Sequence, residues 1–197
     1  MIDIDLLLSC GATYKKIGSN ETIFREGSDA HFYHQLVSGS VRWVNINEDG
    51  GEFIQELIEP GESFGDFSLF DGAPYAGSAI TNKESVILRL QRSTFQQILR
   101  EHPEIHMDFT KLFSERLRFK FLLLNELSCF GPEHRISTLF TYLKENKKNF
   151  CNKCNKVQLT RQQIANMTGL RVETVIRSIK QLEEKGSLTI DKGKVYC

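Results

Sequence analysis

Between Thr160 and Gly186 two short amphipathic segments meet at a glycine, and few folds satisfy both at once. Thr160 suits a helix N-cap, because its hydroxyl can accept a bond from a backbone N–H of the first turn. Ile164, Ala165 and Met167 then fall on the inward side, and the small Ala165 lets a second helix cross closely. Gly169 stands where the inter-helix turn needs a backbone without a Cβ. Leu170, Val175, Ile179 and Leu182 fill the joint core. The spacing is that of a helix-turn-helix, a unit whose second helix enters the DNA major groove. After Gly186 the runs LTI and KVY predict a short hairpin, which makes the unit winged.

The face left open by that core carries Val172, Glu173, Ile176 and Arg177 as candidate base readers. Arg177 can donate two bonds to guanine O6 and N7, Glu173 can accept from cytosine N4, and Val172 can pack on a thymine methyl. Thr160, Arg161, Gln162, Arg171, Thr174, Ser178 and Lys180 are candidate phosphate contacts, which position a module without reading sequence. On an isolated helix Glu173 and Arg177 would read as a surface ion pair, worth little. Charge distribution favours DNA. The chain is neutral overall, yet residues 1–129 carry a net −7 and residues 130–197 a net +7. A basic second module of this kind expects double-stranded DNA as its partner.

Ahead of this module, from about residue 13 to 90, short runs of β-branched and aromatic residues alternate with Gly, Asp and Asn. Val41 and Trp43 point one way, Arg42 and Val44 the other, and Asn47–Gly51 reads as a hairpin turn. Short strands at this spacing predict an antiparallel roll or barrel. After Ser93 the turns stop. Pro103 stands near a helix start, and beyond it Ile105, Phe109, Leu112, Phe119 and Leu123 form one apolar stripe. Phe113, Leu117, Leu124 and Leu127 form a second. Two apolar surfaces need two partners. One is the chain's own β-domain, and the other is a further helix or, as the favoured expectation, the same helix of a second chain. Gly131-Pro132 ends that helix. The expected fold is α+β: a β-roll over residues 1–98, a dimerisation helix and hinge over 99–130, and a winged helix-turn-helix over 131–197.

Other classes are disfavoured. No apolar run approaches the ~20 residues of a bilayer span, since FKFLLLNEL is interrupted by Lys120, Asn125 and Glu126. The start, MIDIDLLLSC, is acidic where a secretory signal is basic, so a cytoplasmic protein with no membrane partner is expected. Five cysteines are an odd number for a disulfide framework. Cys151-x-x-Cys154 has zinc-knuckle spacing but supplies half of the four ligands of structural zinc, with Cys129, Cys197 or a second subunit left to complete it. Reduced loop cysteines are the expected state, and a thiol redox switch would use the same pair. His102 and His106 are the histidines at i, i+4 spacing, and they flank Pro103 at a helix start. His31-x-x-His34 lacks the third ligand and the carboxylate of metal-dependent β-barrel enzymes. No nucleophile–base set is visible, so no enzyme is expected; the alternative from that class is a metal-dependent β-roll enzyme with an appended DNA module.

Several segments stand in one order along the chain: Phe24-x-x-Gly27, Tyr33-x-x-x-Val37-x-Ser38-Gly39-x-Val41-Arg42, Glu48-Asp49-Gly50, Pro60-Gly61-Glu62-Ser63-Phe64-Gly65-Asp66 and Leu69-Phe70-Asp71-Gly72-Ala73-Pro74. With the long helix and Val172-Glu173-Thr174-Val175-Ile176-Arg177, they make the chain resemble the Crp/Fnr superfamily of bacterial transcription regulators nearly end to end. The resemblance implies a cyclic-nucleotide-binding-type β-roll, a homodimer on a palindromic site, and RNA polymerase as a further partner. Val-Glu-Thr-x-x-Arg is similar to the fumarate–nitrate branch, implying half-sites like TTGA, although Ile176 replaces the Ser usual there. By the same resemblance an effector would be met by Phe64, Gly65, Asp66, Tyr75, Ala76, Lys120 and Phe121. Asp66 replaces the family's ribose-binding Glu, and Tyr75-Ala76 falls on the Arg-Ser pair that grips the cyclic phosphate. Lys120 and Phe121 replace the adenine contacts. A buried phosphate needs a paired charge, so the expected effector is something other than cyclic AMP. The runner-up is a constitutive DNA binder with an empty roll. The iron–sulfur members' N-terminal cysteine cluster is represented by Cys10 alone, so no such cluster is expected.

Overall fold

The computed structural model describes residues 1–151 and 153–197, and it divides into two compact units, Met1–Glu115 and Arg116–Cys197. The division falls inside the long helix, whereas the sequence had suggested boundaries after residues 98 and 130.

The first unit begins with α1 (Ile4–Ser9), capped by the Asp3 carboxylate, which accepts from the backbone N–H groups of Asp5 and Leu6. Eight strands follow: β1 (Thr13–Ile17), β2 (Thr22–Phe24), β3 (Phe32–Ser38), β4 (Val41–Ile46), β5 (Glu52–Ile58), β6 (Ser63–Phe64), β7 (Ser78–Thr81) and β8 (Ser85–Gln91). The short α2 (Phe67–Asp71) lies between β6 and β7, and α3 (Arg92–Glu101) follows β8. The strands form two antiparallel sheets ordered β1-β8-β3-β6 and β2-β7-β4-β5. The chain keeps crossing between them, which is the expected roll. Asn47–Gly51 closes the β4–β5 hairpin, with the Asn47 N–H donating to the Gly51 carbonyl at 3.0 Å. A register shift between Trp43 and Val44 breaks the alternation expected there, and both side chains are buried.

The long helix α4 (Pro103–Cys129) corrects part of the dimer expectation. Phe109 belongs to the core of the roll, and Ile105, Leu112 and Phe113 pack against that core. The Phe113 ring lies 4.9 Å from Phe67 and 5.0 Å from Phe70. These four residues are therefore spent on the chain's own β-domain.

The second unit contains the rest of α4, then α5 (Pro132–Glu145), β9 (Phe150–Cys151), β10 (Lys156–Val157), α6 (Arg161–Thr168), α7 (Val172–Glu184), β11 (Thr189–Asp191) and β12 (Lys194–Tyr196). Its antiparallel sheet runs β11-β12-β10-β9. Ile136, Leu139, Ile164, Ala165, Val175, Ile179 and Val195 form its buried centre. Phe119 stacks on Tyr142 of α5 at 3.7 Å, so this predicted dimer residue also packs within its own chain. Leu123 is half-buried, whereas Leu117, Phe121 and Leu124 are 56%, 63% and 59% exposed. The α4–α5 junction is clasped: His134 Nδ1 lies 2.6 Å from the buried Glu126 carboxylate, and Arg135 donates to the carbonyls of Leu127 and Phe130. The segment read as a hinge, Ser128–Pro132, is bridged by these bonds. Among the described residues no helix is long and apolar enough to cross a membrane.

Candidate nucleic-acid interface

The start of α6 is fixed as its sequence predicts. Thr160 and Gln163 form a reciprocal capping box: the Thr160 hydroxyl accepts from the Gln163 N–H, and the Thr160 N–H donates to Gln163 Oε1 at 2.9 Å. At the other end Gly169 adopts a left-handed φ of 65°, and the Leu170 N–H returns to the Ala165 carbonyl. That turn aims α7 across α6. Ile164, Ala165 and Met167 are buried beneath it, with Val175, Ile179 and Leu182. The wing is the β11–β12 hairpin, and its Ile190 N–H donates to the Glu183 carboxylate of α7 at 2.9 Å.

On the outward face of α7, Glu173, Ile176 and Arg177 are exposed and Val172 is half-buried. Glu173 and Arg177 form no ion pair with each other or with any other described residue, so their hydrogen-bonding edges are free. Around them Thr160, Gln162, Arg171 and Lys180 are exposed, and Thr174 is half-buried. Gln162 donates to Asn166 at 2.8 Å. Arg161 is half-buried and reaches the Gly193 carbonyl of the wing at 3.4 Å, and burial lowers its guanidinium pKa. Ser178 does not join the others. It is 3% exposed, on the inward row with Val175, Ile179 and Leu182, and its hydroxyl is withdrawn from any phosphate. Lys192 and Lys194 in the wing are exposed and were missed, because a lysine in a turn-rich terminus carries no periodic signal.

In the roll, the segment assigned to an effector is tightly filled. Phe64 and Asp66 are buried, and the Ser63 hydroxyl donates to the Asp66 carboxylate. Tyr75 stacks on Phe24 at 3.7 Å, and burial pushes its phenol up to about 12. A Cβ on Gly65 would stand 2.6 Å from the Phe24 ring, so only glycine fits there. Ala76 is exposed, and its carbonyl accepts from Asn45. Lys120 and Phe121 belong to the second unit.

Cys151 and Cys154 come together at the β9–β10 turn, with Asn152 outside the described residues. A hydrogen bond between the two thiols holds Cys151 below the usual thiol range and Cys154 above it. Burial raises the Cys197 thiol. Among the described residues no three His, Cys, Asp or Glu side chains form a metal cluster.

Residues 14–102 match the family model of the cyclic nucleotide-binding domain, and residues 134–196 match that of the Crp-like helix-turn-helix domain. The chain is 28% identical over 172 residues to the cAMP-activated global transcriptional regulator CRP of Haemophilus influenzae, covering 86% of this chain and 77% of that protein. It is 28% identical over 174 residues to the cyclic AMP receptor protein of Thermus thermophilus, covering 88% and 78%. In fold it is similar to the c-di-GMP responsive global regulator CLP of Xanthomonas campestris, with a TM-score of 0.79, 19% identity, and coverage of 98% and 96%.

Proposed function

Because the chain belongs to the Crp/Fnr family of transcription regulators, joining a cyclic nucleotide-binding domain to a Crp-like helix-turn-helix domain, we propose that it binds a palindromic DNA site as a homodimer. One observation carries this reading: α7 buries one face completely and offers Glu173, Ile176 and Arg177 on the other without partners. A helix so held can enter a major groove without first breaking contacts of its own. Arg177 reads a guanine, Glu173 a cytosine amine and Val172 a thymine methyl. Thr160, Gln162, Arg171, Thr174 and Lys180 lie along the phosphates, joined by Arg161 at the wing and by Lys192 and Lys194. The half-site is of the fumarate–nitrate type.

Dimerisation uses the exposed α4 stripe of Leu117, Phe121 and Leu124, which sets two α7 helices about one DNA turn apart, ~34 Å. Contact with RNA polymerase follows from the same family reading. The effector is not cyclic AMP, although relatives carry that ligand in their names. Tyr75 and Ala76 offer no cation to a cyclic phosphate, and the Asp66 carboxylate is already engaged by Ser63.

Selection from random duplexes tests the reading. Enrichment of an inverted repeat with half-sites one turn apart is the expected result. A protein that stays monomeric and retains no duplex at low salt would overturn it.

A further inference from the structure

Lys15 of β1 and Arg89 of β8 line a recess of about 240 Å³ in the roll, whose walls include the rings of Phe24, Phe32 and Tyr75. The Arg89 guanidinium lies 3.8 Å from the centroid of the Phe32 ring. Neither cation has an ion-pair partner among the described residues, and Asp29 is the one carboxylate among the lining side chains. His34 also lines the recess. It is 4% exposed, and its Nδ1 is buried without a hydrogen-bond partner. Burial, helped by the nearby charges of Arg89 and Lys15, keeps that ring neutral.

Two unpaired cations beside a desolvated aromatic wall suit an anion that brings an apolar body with it. Inorganic phosphate alone would leave the rings uncovered. The volume falls below the ~300–1,000 Å³ of pockets for drug-sized ligands, which points to a ligand of about one ring. We propose that this recess binds a small aromatic carboxylate, its carboxylate held by Lys15 and Arg89 and its ring packed among Phe24, Phe32 and Tyr75. The neutral His34 ring serves a polar substituent on that ligand. Of the residues assigned to an effector from sequence, Tyr75 alone lines this recess, so the site differs from the one the family resemblance implies. Naming the ligand an effector rests on the regulator reading; the binding itself does not.

Titration calorimetry on the full chain without DNA tests the site, with benzoate as probe and benzamide, inorganic phosphate and a short oligoglutamate peptide as comparisons. Saturable binding of one benzoate per chain is expected, weakened at least about tenfold in Arg89→Gln and for neutral benzamide. Lys15→Gln, at an exposed position, should weaken it as well and keeps the test decisive if Arg89→Gln fails to fold. No saturable heat with millimolar benzoate would overturn the proposal. So would equal binding of benzamide or phosphate, or binding of the peptide alone, which would make the patch a protein contact. Duplex binding measured on the same preparation separates failure of this site from failure of the regulator reading.

Discussion

The rings of Phe24 and Tyr75 lie face to face, 3.7 Å apart with 10° between their planes. Tyr75 stands where the resemblance places the phosphate-gripping pair, so the space for a cyclic phosphate is taken by a stacked aromatic couple. Cyclic AMP should therefore leave the thermal unfolding midpoint unchanged. A true ligand at a hundred times its Kd would add about 2.7 kcal/mol, and a saturable upward shift of that size would refute the argument.

Arg177→Ala should cost about 1–3 kcal/mol on the selected site and relax preference at one guanine. Titrating a panel of single-base variants measures this. Equal loss on every duplex would make Arg177 a phosphate contact instead. Ser178→Ala removes a hydroxyl that the fold has turned inward, and it should leave the salt dependence of DNA binding as it was.

Leu117, Phe121 and Leu124 face solvent in the single chain, so Leu124→Glu should leave the fold intact and shift sedimentation from dimer to monomer. Phe109→Ala should do the reverse, lowering stability by about 3–5 kcal/mol without changing the association state at equal folded fraction. If both variants behaved alike, the assignment of the two helix faces would be wrong.

Acid should destabilise the roll through His34, whose imidazole is lowered to about 3, foremost by burial and then by the charges of Arg89 and Lys15. The unfolded chain takes up that proton near 6.5 while the folded one refuses it. Stability is thus complete above about pH 6.5 and declines as pH falls toward 3, by roughly 3–5 kcal/mol in all. Denaturant titrations across that window should show the decline, and His34→Phe should flatten it.

The DNA-binding module was legible because its constraints are local. The Thr160 cap, the small Ala165 and the left-handed Gly169 each act within a few residues, and the structure keeps all three. The roll was legible as a class but not in register: the irregularity between Trp43 and Val44 depends on a partner strand that periodicity does not reveal. The two stripes on α4 were visible, but which neighbour each would meet was not, since Phe109 and Leu124 look alike until a β-domain is placed beside one of them. Ser178 could have been found. It completes the i, i+3, i+4, i+7 row of Val175, Ile179 and Leu182, and its polarity concealed that position. Lys15, His34 and Arg89 were missed as a group because antiparallel pairing brings them together from three separate strands.

The clasp of Glu126 with His134, and of Arg135 with the end of α4, ties the exposed leucines of that helix to the recognition helix in one compact piece. Symmetric copies built this way behave like calipers with rigid arms, where the crossing point of the paired shafts dictates the gap between the tips. Lengthening α4 by a single residue beyond Leu124 would swing each tip through about 100°, so operator phasing is already encoded in helix length.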